Sequence, residues 1–169
     1  MAEADVSAAL TQLRKSKEFT SWHKHNSKSF LSHVFFMIGD NDCDCQAGFY
    51  DGASDTITTF EIKDPVIINK AEKAFKKEED SILAIDESSI KLPLSEALTE
   101  ANALQKKKYS SELPVKRIAI LQNLHPYGLI YNMTFVTQGF KTLNIKIDAG
   151  TGKIVQDHIV NLFEFEKKN

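Results

Sequence analysis

The sequence predicts an α+β fold in which helix-plus-antiparallel-sheet units bury one face of each sheet. Three observations carry that expectation. Leu143, Ile145 and Ile147 alternate with Thr142, Asn144 and Lys146, the period of a strand with one buried face. Asp148-Ala149-Gly150-Thr151-Gly152 then reads as a tight turn into a further strand, with glycine free to enter φ > 0. Upstream, Leu94, Ala97, Leu98, Ala101 and Leu104 fall on one stripe of a helix over 92–109.

The elements follow in chain order. Residues 6–24 read as one helix, with Leu10, Leu13, Phe19 and Trp22 on its apolar stripe and Arg14, Lys15 and Lys17 toward water. Residues 30–38 read as a strand rich in Phe and Val, closed by the turn Gly39-Asp40-Asn41-Asp42. Strands over 45–50 and 56–62 follow, joined across Asp51-Gly52-Ala53-Ser54. Asp64-Pro65 closes this unit, because the residue before proline is biased away from the helical region. Residues 66–79 fit a helix with Ala71, Ala74 and Phe75 inward, and 81–89 an edge strand or irregular link. Ser95 is the cap candidate for the helix over 92–109. Strands over 115–124, 129–136, 140–147 and 154–165 complete the chain.

The chain thus divides into a first unit over 1–65, a linking segment over 66–91 and a second unit over 92–169. The expected core includes Leu94, Leu98, Ala101, Ile118, Ile120, Phe135, Leu143, Ile145 and Ile147. The two units share an order of helix, apolar strand and hairpin, and residues 57–62 can be laid against 142–147. Tandem duplication explains the match. So does chance, since short alternating strands resemble one another everywhere.

Composition bounds the function. A net charge of -2 and a pI near 6.2 lack the positive footprint that a nucleic-acid partner requires. No apolar run approaches the roughly 20 residues needed to cross a bilayer, so no membrane partner is expected. The acidic start Met1-Ala2-Glu3-Ala4-Asp5 and the lack of spaced cysteines give a cytoplasmic expectation. Asn132-Met133-Thr134 is a chance sequon in that setting. Eleven phenylalanines, Trp22 and the exposed edges of an antiparallel sheet make a homodimer an expectation as well.

The second unit resembles a PepSY-like domain. The helix over 94–109, the strand over 115–120, Tyr131-Asn132-Met133-Thr134-Phe135-Val136, and the run from Leu143 through Asp148-Ala149-Gly150-Thr151-Gly152 to Val155 carry that resemblance, over about residues 92–160. It implies a cystatin-like fold and a non-catalytic, regulatory or inhibitory role of the kind associated with peptidases and cell envelopes. It supplies no catalytic residues. The first unit lacks the Asp-Ala-x-Thr-Gly turn.

Candidate sites are sparse. Asp40, Asp42, Cys43, Asp44 and Cys45, with His33 upstream, form the densest polar constellation. Thiolates and imidazole favour soft or borderline metals, while carboxylates favour hard ones. One residue between the cysteines is too few for a zinc site, and Asp51 stands where a calcium loop needs Glu. A solvated turn is the expectation, with neither zinc nor calcium and no cofactor. A Cys-x-Cys pair in a strand points both thiols to one face, too far apart for easy bridging, and the neighbouring carboxylates oppose thiolate formation.

Trp22, His23 and His25 at the end of the first helix, together with His33, His125 and Tyr127, are the ligand-binding candidates. Imidazolium at a helix C-terminus suits the dipole, so a cap is the plainer role for His23 and His25. His125-Pro126-Tyr127-Gly128 reads as a loop, where recognition residues often sit. Lys106-Lys107-Lys108 with Lys116-Arg117 is the basic concentration, most simply a solvated helix end. No phosphate loop, dinucleotide fingerprint, metalloprotease motif or Ser/His/Asp triad can be assigned. The expected function is a non-catalytic soluble module that binds a protein, peptide or small ligand. An enzyme with a spatially assembled site and a peptidase-modulating protein are the alternatives.

Overall fold

The computed structural model describes residues 5–75 and 81–162. Three helices, α1 (Val6–Lys15), α2 (Lys17–His25) and α3 (Leu94–Lys108), accompany β1 (Phe30–Ile38), β2 (Cys43–Asp51), β3 (Thr56–Glu61), β4 (Ile67–Ile68), β5 (Glu72–Lys73), β6 (Pro114–Leu124), β7 (Gly128–Thr137), β8 (Lys141–Asp148) and β9 (Ile154–Asn161). The strands form one antiparallel sheet in the order β4-β3-β2-β1-β6-β7-β8-β9, with β5 also on β3. The expected α+β architecture is present. The last expected strand continues past residue 162, and that part lies outside the described residues.

The first expected helix is two. Ser16 ends α1 and starts α2 with extended dihedrals, φ -70 and ψ 149. Its hydroxyl donates to the Leu13 carbonyl at 2.6 Å and accepts from Phe19 N–H at 3.2 Å. Serine competes with the helix for backbone partners, so it closes one helix and caps the next. The break lets α2 turn Phe19 and Trp22 into an aromatic cluster. Phe60 meets Trp22, Phe19 and Phe49 edge-on, with ring centroids 5.1, 5.5 and 5.7 Å away.

The helix expected over 66–79 is not formed in its described part, and residues 76–79 lie outside the described residues. Ile68 pairs with Phe60, and Glu72 pairs with Ile57. The second pairing is displaced by one residue, so residues 69–71 bulge out of an edge strand. The β-branched run Val66-Ile67-Ile68 favours pairing with β3 over helix. Ala71 is exposed and Phe75 fully so, at 99%. Residues 81–86 form an irregular link that donates Ile85 N–H to the Leu31 carbonyl at 2.9 Å.

All the helices lie on one face of the sheet, where their apolar stripes meet alternate strand residues in one core. Val34 opposes Ala47 and Leu121, and Phe36 opposes Cys45 and Ala119. Leu94, Ala101, Phe135, Leu143, Ile145 and Ile147 are buried as expected, and Leu98 is half-buried. Ile118 and Ile120 are half-buried on the opposite, open face, and the core positions of β6 are Ala119 and Leu121. Both faces of this strand are apolar, so alternation could not choose its phase; pairing with β1 does.

α3 starts after Pro93 with no side-chain cap, and Ser95 is a first-turn residue whose carbonyl accepts from Thr99 Oγ1. The expected basic surface is partly structural. Arg117 Nε donates to Asn102 on α3 at 3.1 Å, with its guanidinium over the Phe135 ring at 5.1 Å. Lys108 Nζ donates to Asp157 on β9 at 2.7 Å, and Tyr109 donates to the same oxygen. These bonds hold the Asp157 carboxyl below its ordinary range.

Phe60 is fully enclosed by α2 and the sheet. Phe60→Ala should lower the unfolding free energy by about 3–5 kcal/mol, as a cavity opens where the rings met. Urea unfolding monitored by Trp22 fluorescence measures it; a loss under about 1 kcal/mol would mean that the cluster is not core.

Candidate functional site

The open face carries a polar row that runs across four strands and the edge bulge. Gln122 on β6 pairs with His33 on β1, His33 with Gly48 on β2, and Gly48 with Thr59 on β3. Asn69, in the edge bulge, donates its N–H to the Thr59 carbonyl at 2.9 Å and its side-chain amide to Thr59 Oγ1 at 3.2 Å. Directly opposed residues share a face, so these side chains stand side by side at about 4.8 Å strand spacing.

Gly48 makes the row a cleft. A Cβ at this position would lie 2.1 Å from His33 Cε1, so the imidazole lies where any other residue's side chain would begin. A bulge at Ser32 interrupts the pairing of β1 with β2 beside it. Ser32 is buried, with Oγ 3.1 Å from both the Gly48 carbonyl and His33 Nδ1. The resulting cleft holds about 670 Å³, floored by the row and Ile120 and walled by Ile57, Lys70, Glu72, Lys73 and Ile82. Burial pushes the His33 pKa below its ordinary value, which favours the neutral ring.

The other sequence candidates lie elsewhere. Trp22 is a half-buried core residue. His23 is exposed and stacks on Phe19 at 5.3 Å; His25 is the exposed last residue of α2. His23 lines a hollow on the helix side with Arg14, Phe30, Leu31 and Ile85, across the sheet from the His33 cleft. His125 is exposed in the β6–β7 turn. Tyr127 lies under Lys146 Nζ at 5.8 Å and borders a hollow with Asp86, Asn123 and Asp148. His33 is therefore not brought together with the other candidates.

The acidic and thiol constellation is divided by the strand it occupies. Cys43 and Cys45 are free, half-buried and turned toward the core, whereas Asp44 is exposed on the opposite face. Asp40 and Asp42 sit in the exposed turn, where Gly39 N–H donates to the Asp42 carbonyl at 2.9 Å. Burial, then Cys43, pushes the Cys45 thiol up to about 12, while burial and the carboxylates of Asp44 and Asp42 raise Cys43. Neither is a ready thiolate. Among the described residues no three His, Cys, Asp or Glu side chains converge as metal ligands.

Ser32, Gly48, Thr59, Asn69 and Gln122 were not sequence candidates. Gly48 offered the available signal, because an isolated glycine inside a strand marks a bulge or a close approach.

No protein-family model and no curated protein matches the chain. Among solved structures, the fold is similar to that of a protein described as a "putative lipoprotein" from Clostridium difficile 630. The TM-score is 0.56 at 13% identity, over 85% of this chain and 90% of that one. At this identity the likeness shows the fold alone. No helix among the described residues is long and apolar enough to cross a membrane.

His33 ties stability to pH. Its folded pKa is depressed, so the unfolded chain takes up the proton more readily. Its contribution is complete above the ordinary value near 6.5 and is lost as pH falls toward the folded value. The unfolding free energy from urea titration should drop between pH 7.5 and 5.5, by at most about 1.4 kcal/mol per pH unit from this group. His33→Gln should flatten that slope; an equal slope in the variant would show that His33 does not control it.

Proposed function

We propose that this chain is a non-catalytic binding module that takes a small ligand or peptide segment along the polar row of the open face. The observation that carries the reading is the row itself: hydroxyl, amide and imidazole groups are aligned across the sheet, with the His33 ring laid over Gly48 at its centre. Ligand sites are concave and take their specificity from a few placed polar groups. An enzyme is less well supported. Among the described residues no carboxylate is hydrogen-bonded to His33, and Ser32 donates to a backbone carbonyl.

Tandem duplication of cystatin-like units, the second of them PepSY-like over about residues 92–160, belongs to the same proposal. Its support is geometric. Laying β1 on β6 so that Phe35 falls on its own partner Ile120 puts His33 on Ile118. The row Gln122–His33–Gly48–Thr59 then corresponds to Met37–Ile118–Thr134–Asn144, which continues to His158 on β9. A cytoplasmic location fits the free thiols of Cys43 and Cys45, since a reducing compartment keeps thiols unpaired.

The test is an amide chemical-shift map recorded against a small-molecule and short-peptide library. Shifts from a hit should concentrate on Gln122, His33, Gly48, Thr59 and Asn69. Thr59→Tyr, a side chain well suited to a strand, should abolish them at unchanged unfolding midpoint. Hits that map to the helix face, or turnover of a library member, would defeat the reading.

Self-association is a second reading, favoured by Phe35, Met37, Ile118 and Ile120 on the open face, where Met37 is 39% exposed. Light scattering should give a dimer mass that falls on dilution and in Met37→Lys. A monomer mass at every concentration would end this reading.

A further inference from the structure

The hydrogens around His33 can be assigned one at a time. Ser32 has a single hydroxyl hydrogen, directed to the Gly48 carbonyl at 3.1 Å. Both contacts can be hydrogen bonds at once only when the imidazole supplies the hydrogen to the 3.1 Å contact between Ser32 Oγ and His33 Nδ1, and the tautomer is assigned on that ground. A neutral ring carries one N–H, so Nδ1 holds it and Nε2 is a bare lone-pair acceptor. Among the described residues nothing donates to Nε2. Nor is it sealed away, because no fully buried side-chain nitrogen or oxygen among them lacks a partner. Nε2 retains access to the cleft.

The related row in the other half of the sheet has no such vacancy. Asn144 Nδ2 there donates to Asn132 Oδ1 at 2.7 Å and lies 3.4 Å from Thr134 Oγ1, and an isoleucine, Ile118, stands at the position of His33. In the His33 row the charged side chains that line the cleft are Lys70, Glu72 and Lys73, all from the edge segment. β1, β2, β3 and β6 bring it no charge. Among the described residues, the charged groups that share the cleft with the ring are thus one carboxylate and two ammonium groups, the other lining groups being neutral.

We propose, resting on the cleft reading above, that the ligand is a carboxylate that also carries a hydroxyl or amide hydrogen: the donor meets His33 Nε2 and the carboxylate meets Lys70 and Lys73. A free hydroxy acid and the C-terminus of a peptide share this chemistry. Neutral histidine gives the site a sign. Protonation turns Nε2 from acceptor to donor, so binding weakens as pH falls through the His33 transition. A site that merely collects anions behaves in the opposite way, since acidification adds positive charge to it.

Three probes separate the cases: glycolate supplies O–H and carboxylate, N-acetylglycine supplies N–H and carboxylate, and acetate lacks the donor. Nitrogen-15 spectra of the His33 ring in the full chain at pH 7.5 should show the Nδ1–H tautomer. Glycolate or N-acetylglycine should shift Nε2 and bind about threefold to tenfold more tightly than acetate, the worth of one hydrogen bond. Whichever binds better identifies the source as hydroxy acid or peptide. His33→Phe should reduce both to the acetate level, and in the wild type their affinity should fall toward pH 5.5. An Nε2–H tautomer, equal binding of acetate, or tighter binding on acidification would overturn the donor assignment while leaving the cleft a binding site. Absence of any shift along the row with all three probes would overturn both readings.

Discussion

The antiparallel pairing of β1 with β6 is the contact on which the rest of the structure depends. The other strand pairs join segments close in sequence, across turns or short links. This one joins strands separated by the whole β2–α3 stretch, and it merges two half-sheets into one. Closing so long a connection costs chain entropy, which burial at the seam must offset. Val34 against Leu121 and Phe36 against Ala119 provide that burial on the helix side. A slip of β1 by one residue would turn Val34 and Phe36 out of the core together while Ala119 and Leu121 stayed in it, so the register is strongly specified. The same register places His33 beside Gln122, and the polar row inherits its alignment from the core beneath it.

The two halves fill the space under their helices differently. On the β1–β3 side, α2 delivers Phe19 and Trp22 onto Phe49 and Phe60, and the aromatic edges interlock. On the β6–β8 side, α3 brings mainly Leu94, Ala97 and Ala101 to Met133, Phe135, Leu143 and Ile145. Alanine on α3 permits close approach of the helix to the sheet. The larger rings below α2 are accommodated by the break at Ser16, which frees α2 from the direction of α1. Each helix arrangement matches the side chains that its own half supplies.

Most strands were legible in the sequence because one face of each is decided by a simple alternation. Leu143, Ile145 and Ile147 leave no second choice of phase. β6 was misread in phase because Ile118 and Ile120 are as apolar as Ala119 and Leu121, and only the partner strand distinguishes them. The edge strand was hidden by lysines and alanines that read as helix, although the pairing of Ile68 with Phe60 decides the matter. Of the site, His33 was legible as a polar residue in an apolar strand. Its partners were not, since Thr59, Asn69 and Gln122 become neighbours only through register.

The cleft lies where regular strand geometry is broken most densely. The Ser32 bulge, the strand-interior Gly48 and the bulge over 69–71 are far apart in sequence, yet all border one space. Each feature has a cost: a bulge forfeits a ladder bond, and glycine in a strand gives up packing and adds unfolded-state entropy. A sheet built only for stability has no reason to collect these at one place. His33 and Gly48 are also coupled, because the ring occupies the volume that any Cβ at position 48 would need. The corresponding positions across the sheet, Ile118 and Thr134, are ordinary strand residues in regular pairing. Local departures of this kind are expected where a structure serves something beyond its own folding, and here they gather in the half of the sheet that contains His33.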